Sequence, residues 1–263
     1  MGWVLDLDGV VWLADQPIPG AAAAVARLRA RGERVLFATN NSAARLAEQE
    51  AKLARLGIRA RGDVVSSAQA AARLVEPGER ALVCGGPGVV EALAARGAVP
   101  VRDGDADAVV VGLHRDFDYE RLRVAARAVQ RGARLIATND DATYPTPDGP
   151  IPGGGALAAA VAYAAGVSPV VAGKPHPPMA DLVRAVGGED GTVVGDRPET
   201  DGAFARALGY RFALVLTGVT TAADLPVEPT PDVVAPSLAA LVGAEAGVDP
   251  PVGGGVARPP GRP

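Results

Sequence analysis

The sequence predicts an α/β fold, a doubly wound parallel sheet into which a second, smaller α/β unit is inserted. Two observations carry this. Short apolar runs at residues 3–7, 34–38, 192–196 and 212–216 alternate with stretches of helical periodicity, the pattern of a parallel sheet with crossover helices. From about residue 68 to 170 the same alternation starts afresh, with strand-like runs at 81–84, 108–112 and 135–137. A chain of 263 residues can bury a substantial core and suits one large or two small domains.

The first run ends in Asp6-Leu7-Asp8-Gly9, which puts carboxylates at a strand end, where Gly9 lets the backbone turn sharply. In open α/β sheets ligands bind at this carboxyl edge. Pro17-Ile18-Pro19-Gly20 reads as a turn, and residues 21–30 as a helix of strong helix formers closed by Gly32. The second strand ends in Thr39-Asn40-Asn41-Ser42, with Ser42 expected as the N-cap of a helix carrying Leu46, Leu53 and Leu56 and stopped by Gly57. In that layout the free N–H groups of the helix start and the Thr39 hydroxyl would face one anion beside Asp6. A plain turn with a cap is the other reading of these four residues.

Within the inserted unit, Leu122, Ala125, Ala126 and Val129 fall on one helical face ending at Gly132. The loop Gly85-Gly86-Pro87-Gly88 lacks the spacing of a dinucleotide site and reads as a turn. Cys84 and His114 stand alone at strand ends, which suits structural residues better than zinc ligands. Residues 138–155 follow a strand and are rich in turn formers and polar atoms, so they read either as a recognition loop for the substrate or as a connector. Residues 153–173, the longest apolar region, are broken by Gly166, Ser168 and Pro169 and read as a buried helix and a strand rather than a membrane span.

Val170-Val171-Ala172-Gly173 reads as the return to the first unit and leads to Lys174 in a proline-fixed turn, just after a buried strand, whereas an idle lysine usually sits on a solvated helix face. A helix with Met179, Leu182, Val183 and Val186 on one face follows. His176 in that turn either touches substrate or is simply exposed. The strand at 192–196 ends in Asp196, and Asp201 follows at the start of a short helix closed by Gly209. The expected boundaries are a core at 1–75 and 170–243, an inserted unit at 76–169, and a Gly/Pro-rich, mobile tail at 244–263. The net charge of -4 argues against nucleic acid or an anionic membrane as partner. The single cysteine excludes an intrachain disulfide and, with no charged-then-apolar leader before Trp3, suggests the cytoplasm.

The succession Asp6/Asp8, Thr39-Asn40-Asn41, Lys174 and Asp196/Asp201 resembles the four motifs of the haloacid dehalogenase superfamily, over nearly the whole chain to about residue 240. Within it, Thr39-Asn40-Asn41-Ser42, Gly173-Lys174-Pro175 and Ala137-Thr138-Asn139-Asp140-Asp141-Ala142-Thr143-Tyr144-Pro145 resemble the nitrophenyl-phosphatase (NagD-like) branch, whose α/β cap is inserted between the second and third motifs. The resemblance implies a Rossmann-like core with an α/β cap, and a Mg²⁺-dependent phosphatase that hydrolyses small-molecule esters such as sugar, glycerol or nucleotide phosphates through an aspartyl-phosphate. It implies Asp6 as nucleophile, Asp8 as acid and base, and Lys174 with Thr39, Asn40 and Asn41 at the phosphoryl group. Asp6, Asp196 and the backbone carbonyl of Asp8 would hold Mg²⁺, and Asp201 would orient Lys174 or a water on the metal. A phosphate dianion repels carboxylates, so an attacking aspartate needs positive charge nearby, and Mg²⁺ and Lys174 are its sources. A phosphomutase, a carbon–halogen hydrolase and a non-catalytic phosphate-ligand-binding protein are the alternatives on this fold; the second has no use for Mg²⁺, Asp8 or Asp196. The expected assembly is a homodimer through the cap or no assembly at all.

Overall fold

The computed structural model describes residues 2–13, 16–146 and 148–245. Strand β1 (Gly2–Leu5) is buried along its whole length, as a central parallel strand must be. The chain turns through Gly9, whose φ of 85° favours glycine, into a short hairpin of β2 (Trp12–Leu13) and β3 (Gln16–Pro17). Helix α1 (Ala21–Ala30) returns it to β4 (Arg34–Thr39), and α2 (Leu46–Arg55), β5 (Val64–Ser66) and α3 (Ser67–Ala72) complete the first half. The inserted unit contains β6 (Arg80–Cys84), α4 (Pro87–Ala95), β7 (Val99–Val101), β8 (Ala108–Val111), α5 (Tyr119–Gln130) and β9 (Arg134–Ala137). It continues through a small hairpin, β10 (Thr143–Tyr144) and β11 (Ile151–Pro152), to α6 (Gly154–Ala165) and β12 (Val170–Val171). The return comprises α7 (Pro177–Gly187), β13 (Gly191–Gly195), a π-helical turn at Pro198–Gly202, α8 (Ala203–Leu208), β14 (Arg211–Val215), β15 (Val233–Ala235) and α9 (Leu238–Glu245).

Two parallel sheets result. The first has the order β15-β14-β13-β1-β4-β5 and the second β12-β9-β8-β6-β7. In the first, the chain leaves β1 toward β4 and β5 and comes back on its other side through β13, β14 and β15. The order therefore reverses between β1 and β13, which opens a crevice at their carboxyl ends. Asp6 and Asp196 are the residues that follow these two strands. The doubly wound core and the α/β cap are thus as the sequence predicts.

Four details differ from expectation. Val170–Val171 pairs with β9 in the second sheet, so the crossover back to the first sheet comes after Val171. Ser42 caps no helix, because α2 begins only at Leu46 with Arg45 at its N-cap; the Ser42 hydroxyl is buried and shares a 2.9 Å hydrogen bond with Thr138 of the cap. Asp201 lies in the π-helical turn rather than at the start of α8. Finally, α9 carries the fold through Glu245, and the rest of the expected tail, 246–263, lies outside the described residues. Among the described residues no helix is long and apolar enough to cross a membrane.

Packing ties the two units together. On one side of the first sheet, Leu5, Phe37, Leu53 and Leu241 pack with α1, α2 and α9. On the other, a single apolar cluster runs from Leu36, Val193 and Phe204 through Met179 of α7 and Ala71 of α3 to Val89 and Leu93 of α4, and so into the cap. The glycines read from sequence as a plain turn explain how close this approach is. Gly86 is the N-cap of α4, Pro87 opens it, and a Cβ on Gly88 would stand 2.2 Å from the Ala44 carbonyl oxygen. Gly88 also donates its N–H to the Ala43 carbonyl at 3.0 Å. Only glycine allows helix and loop to meet backbone to backbone. Gly88→Ala is therefore expected to lower stability by about 1–3 kcal/mol through forced separation of these backbones, measured by urea unfolding.

Candidate active site

All eight residues singled out from the sequence, Asp6, Asp8, Thr39, Asn40, Asn41, Lys174, Asp196 and Asp201, line one cavity at the β1/β13 crevice. Parallel strands deliver them. Asp6 follows β1 and is held in register by its N–H, which donates to the Val194 carbonyl of β13 at 2.9 Å. Thr39 ends β4, and Asp196 follows β13. Lys174 comes from the loop between β12 and α7 and reaches the same point from the cap side.

Lys174 is 3% exposed, and its ammonium donates to Asp6 Oδ1 and to Asp201 Oδ1, each at 2.7 Å. Burial alone disfavours its charge, but the carboxylates of Asp201 and Asp6 hold the ammonium above its ordinary range. The other oxygen of Asp201 accepts the Arg197 N–H at 3.2 Å, and the Asp201 N–H returns to the Arg197 carbonyl at 2.7 Å across the π-helical turn. Asp201 thus has both carboxylate oxygens engaged and serves as the anchor of Lys174.

The acids crowd. Burial pushes Asp6 well above the usual carboxylate range, and Asp201, Asp196 and Asp8 add repulsion, against the pull of Lys174. Asp196 is pushed up to about 6 by burial and by Asp201, although Val219 donates its N–H to Oδ2 at 2.6 Å. The backbone closes directly over Asp196: a Cβ on Gly218 would stand 1.9 Å and one on Gly9 2.5 Å from its carboxylate. Carboxylate oxygens of Asp6, Asp196 and Asp201 lie within 4.8 Å of one another. Asp6 Oδ2 and Asp196 Oδ1 accept no hydrogen bond from a described residue, so two hard oxygen donors remain beside an excess of negative charge. That donor set fits Mg²⁺, which prefers carboxylate and water oxygens.

The second motif also ties the core to the cap. The N-terminus of α2 is turned away from the cavity: the Leu46 N–H is taken by Glu91 of α4 at 3.0 Å and the Arg45 N–H by Glu48 at 3.0 Å. No helix start therefore faces the site from this motif. The Asn41 N–H goes to the Thr39 hydroxyl at 3.0 Å. Asn40 accepts the Lys174 N–H at 2.8 Å on its side-chain oxygen, and its amide donates to the Lys174 carbonyl and to Asp141 Oδ2, each at 3.1 Å. Its backbone carbonyl receives the Asn139 amide at 2.7 Å and the Ser67 hydroxyl at 2.8 Å. The Asn41 amide donates to the Tyr144 hydroxyl at 3.3 Å. Both asparagine side chains therefore bind core to cap.

From the cap, Asn139, Asp141, Thr143 and Tyr144 line the cavity with Leu113, so the loop contributes a wall. Burial raises the Asp141 carboxyl, against the Asn40 hydrogen bond. Asp140 turns outward, where its carboxylate meets His176 Nε2 at 2.8 Å, and neither residue lines the cavity. Cys84 is buried and free, its thiol pushed up to about 11 by burial, and His114 packs edge-on against Phe117 with its Nδ1 3.0 Å from the Gly112 carbonyl; neither lines the cavity. Trp12 escaped the sequence reading. Its indole N–H donates to Asp8 Oδ1 at 3.0 Å, and the signal for it was its place four residues after Asp8, on the same tight loop. Burial raises the Asp8 carboxyl, while Lys52 and the Trp12 hydrogen bond oppose the rise.

Comparison with known proteins agrees with this geometry. Residues 3–99 match a family profile described as haloacid dehalogenase-like hydrolase, and residues 171–241 one described as HAD-hydrolase-like. The chain is 42% identical over 231 residues to the D-glycerol 3-phosphate phosphatase of Mycobacterium tuberculosis, covering 84% of this chain and 64% of that protein. It thus spans about two thirds of that relative's length. The crystal structure of the M. tuberculosis glycerol phosphate phosphatase in complex with magnesium superposes with a TM-score of 0.84 at 39% identity, over 91% of this chain and 75% of that one. The p-nitrophenyl phosphatase of Archaeoglobus fulgidus gives 0.86 at 33% identity, over 92% and 98%. The chain belongs to the haloacid dehalogenase-like hydrolases, in the capped branch that contains these phosphatases.

Proposed function

We propose that the protein is a Mg²⁺-dependent phosphatase of small-molecule phosphate monoesters, acting through an aspartyl-phosphate on Asp6. The observation that carries this is the buried Lys174 ammonium, shared by Asp6 and Asp201 at the point where β1 and β13 part. A nucleophilic carboxylate beside a fixed cation and an acidic metal site is what attack on a phosphate dianion requires. Asp6, Asp196 and the backbone carbonyl of Asp8 would hold Mg²⁺, which when bound would neutralise charge on the phosphoryl oxygens.

Asp6 attacks phosphorus through one carboxylate oxygen as the ester P–O bond breaks, and Asp8, as the acid, gives its proton to the leaving oxygen. Asp8, now a carboxylate, takes a proton from water as that water attacks phosphorus, which releases phosphate and restores Asp6. Lys174 keeps Asp6 oriented and offsets the incoming charge, and the Thr39 hydroxyl, which accepts the Asn41 N–H and so has its own proton to give, takes a remaining phosphoryl oxygen together with the Asn40 N–H. The leaving group would lie against Asn139, Asp141, Thr143 and Tyr144, whose polar atoms suit glycerol, sugar or nucleotide esters. The magnesium-bound structure and the phosphatase relatives support the same reading. We further assign the core to residues 1–75 and 172–245 and the cap to 76–171. A cytoplasmic protein fits the lone buried thiol of Cys84. A homodimer through the cap fits Tyr163, 93% exposed, and its neighbour Val167.

Asp6→Asn keeps the shape and removes the nucleophile and one repelling charge. Turnover of p-nitrophenyl phosphate is expected to fall at least about a thousandfold, with the melting temperature unchanged or raised; normal turnover in a folded variant excludes covalent catalysis at Asp6. Tyr144→Ala is expected to change the relative kcat/KM among glycerol, sugar and nucleotide esters more than the rate with the nitrophenyl ester. An equal fall for all substrates assigns the cap loop to closure instead.

The metal has its own signature. Folding raises the Asp196 carboxyl from 3.8 to about 6, so the free protein has this contribution in full below the ordinary value and loses it as pH rises through about 6. Mg²⁺ needs the ionised carboxylate and reverses that loss. Its apparent affinity is expected to weaken by at least about tenfold for each pH unit below about 6, since Asp196, and Asp6 beside it, must both be ionised to bind. Calorimetric titration with Mg²⁺ on either side of that pH measures this, alongside a larger Mg²⁺-induced rise in melting temperature at the higher pH.

A further inference from the structure

Asp8 is asked to give and take a proton on one side of the phosphoryl group, and a carboxyl that rotates freely offers its proton from either oxygen in turn. In this structure it does not rotate freely. Trp12 is 4% exposed and sits in the apolar cluster with Leu5, Leu7 and Phe37. Its backbone closes the loop on itself: the Trp12 N–H donates to the Leu7 carbonyl at 3.1 Å and the Gly9 N–H to the Trp12 carbonyl at 2.6 Å. A face of the ring carries a cation, Lys52 Nζ of α2, 4.2 Å from the ring centroid, where the π cloud attracts it. Between these supports the indole N–H is aimed at Asp8 Oδ1.

An indole N–H only donates. Oδ1 is therefore an acceptor in every protonation state of Asp8, and because the carbonyl oxygen of a carboxyl accepts better than its hydroxyl oxygen, the acid proton is favoured on Oδ2. We propose that Trp12 is a positioning residue for proton transfer: it fixes the Asp8 carboxyl and assigns the transferable proton to one oxygen. This rests on the acid role given to Asp8 above and adds a residue to it. In the first half-reaction the Oδ2–H bond breaks, the proton forms a bond to the leaving oxygen, and the electron pair stays on the Asp8 carboxylate as the P–O bond opens and the Asp6–phosphorus bond forms.

The test uses the dependence of that step on the leaving group. An alkoxide needs the proton and nitrophenoxide does not, and kcat/KM covers only the steps up to departure of the alcohol. Trp12→Phe is expected to lower kcat/KM for glycerol 3-phosphate by roughly 10- to 100-fold, a part of the contribution of a positioned acid, and for p-nitrophenyl phosphate by less than about threefold. Because Trp12 is buried, a second variant with 3-benzothienylalanine at position 12 replaces only the N–H by sulfur and keeps the ring; the same selective loss is expected. Asp8→Asn is the control on the underlying reading and should show a larger loss of the same selectivity, with no further selective loss when Trp12→Phe is added to it. If Asp8→Asn is selective and both Trp12 variants lower the two esters equally or not at all, the positioning role is overturned while the acid role stands. If Asp8→Asn itself shows no selectivity, the acid role fails, and the proposal for Trp12 with it.

Discussion

A single buried ammonium holds three parts of the chain to one point. Lys174 joins the residue after β1 to the π-helical turn after β13, and its backbone is clamped by Asn40 from the end of β4. An ammonium buried to this degree is tolerated only with charged partners at hydrogen-bonding distance, because the desolvation cost is several kcal/mol or more. Two carboxylates share that task, so the ammonium stays paired if one is lost, and only loss of both leaves an uncompensated charge. The proposed chemistry uses that constraint: the carboxylate assigned to attack phosphorus is one of the two that the lysine holds.

The cap is bound by the same economy of groups. Asn40 spends its side chain on Lys174 and Asp141 and its carbonyl on Asn139 and Ser67, while Ser42 meets Thr138 beneath Gly112. These contacts lie beside the residues of the crevice, and an apolar cluster runs from core to cap. The cap's wall of the cavity is therefore placed relative to Asp6 by hydrogen bonds, and a shift of the cap would disturb the backbone of Lys174.

Electrostatically the site is poised for a cation. Asp6, Asp8 and Asp196 all sit above the usual carboxylate range chiefly because they are buried, and Lys174 offsets only part of their charge. A divalent ion relieves the remainder and, in the same act, draws in a phosphate dianion. The glycines at 9 and 218 complete the arrangement by letting backbone approach Asp196 more closely than any side chain permits.

The sequence by itself determined the doubly wound core, the inserted cap and the residues that meet at the crevice. Strand ends and sharp turns are local, and Asp6, Thr39, Lys174 and Asp196 each follow an apolar run whose period and length are visible in one stretch of chain. Tertiary structure decided the rest. That Val170–Val171 joins the cap sheet depends on pairing with β9, more than thirty residues earlier, which no local pattern encodes. Ser42 carries every local mark of an N-cap, yet its hydroxyl is claimed by Thr138, and the two asparagines after Thr39 face the cap rather than a helix start, because hydrogen-bond partners distant in sequence outcompete local ones once both are buried. Trp12 stood in plain view beside the first motif, but only the folded loop shows its N–H directed at Asp8, since the direction of a side chain is set by what packs against it.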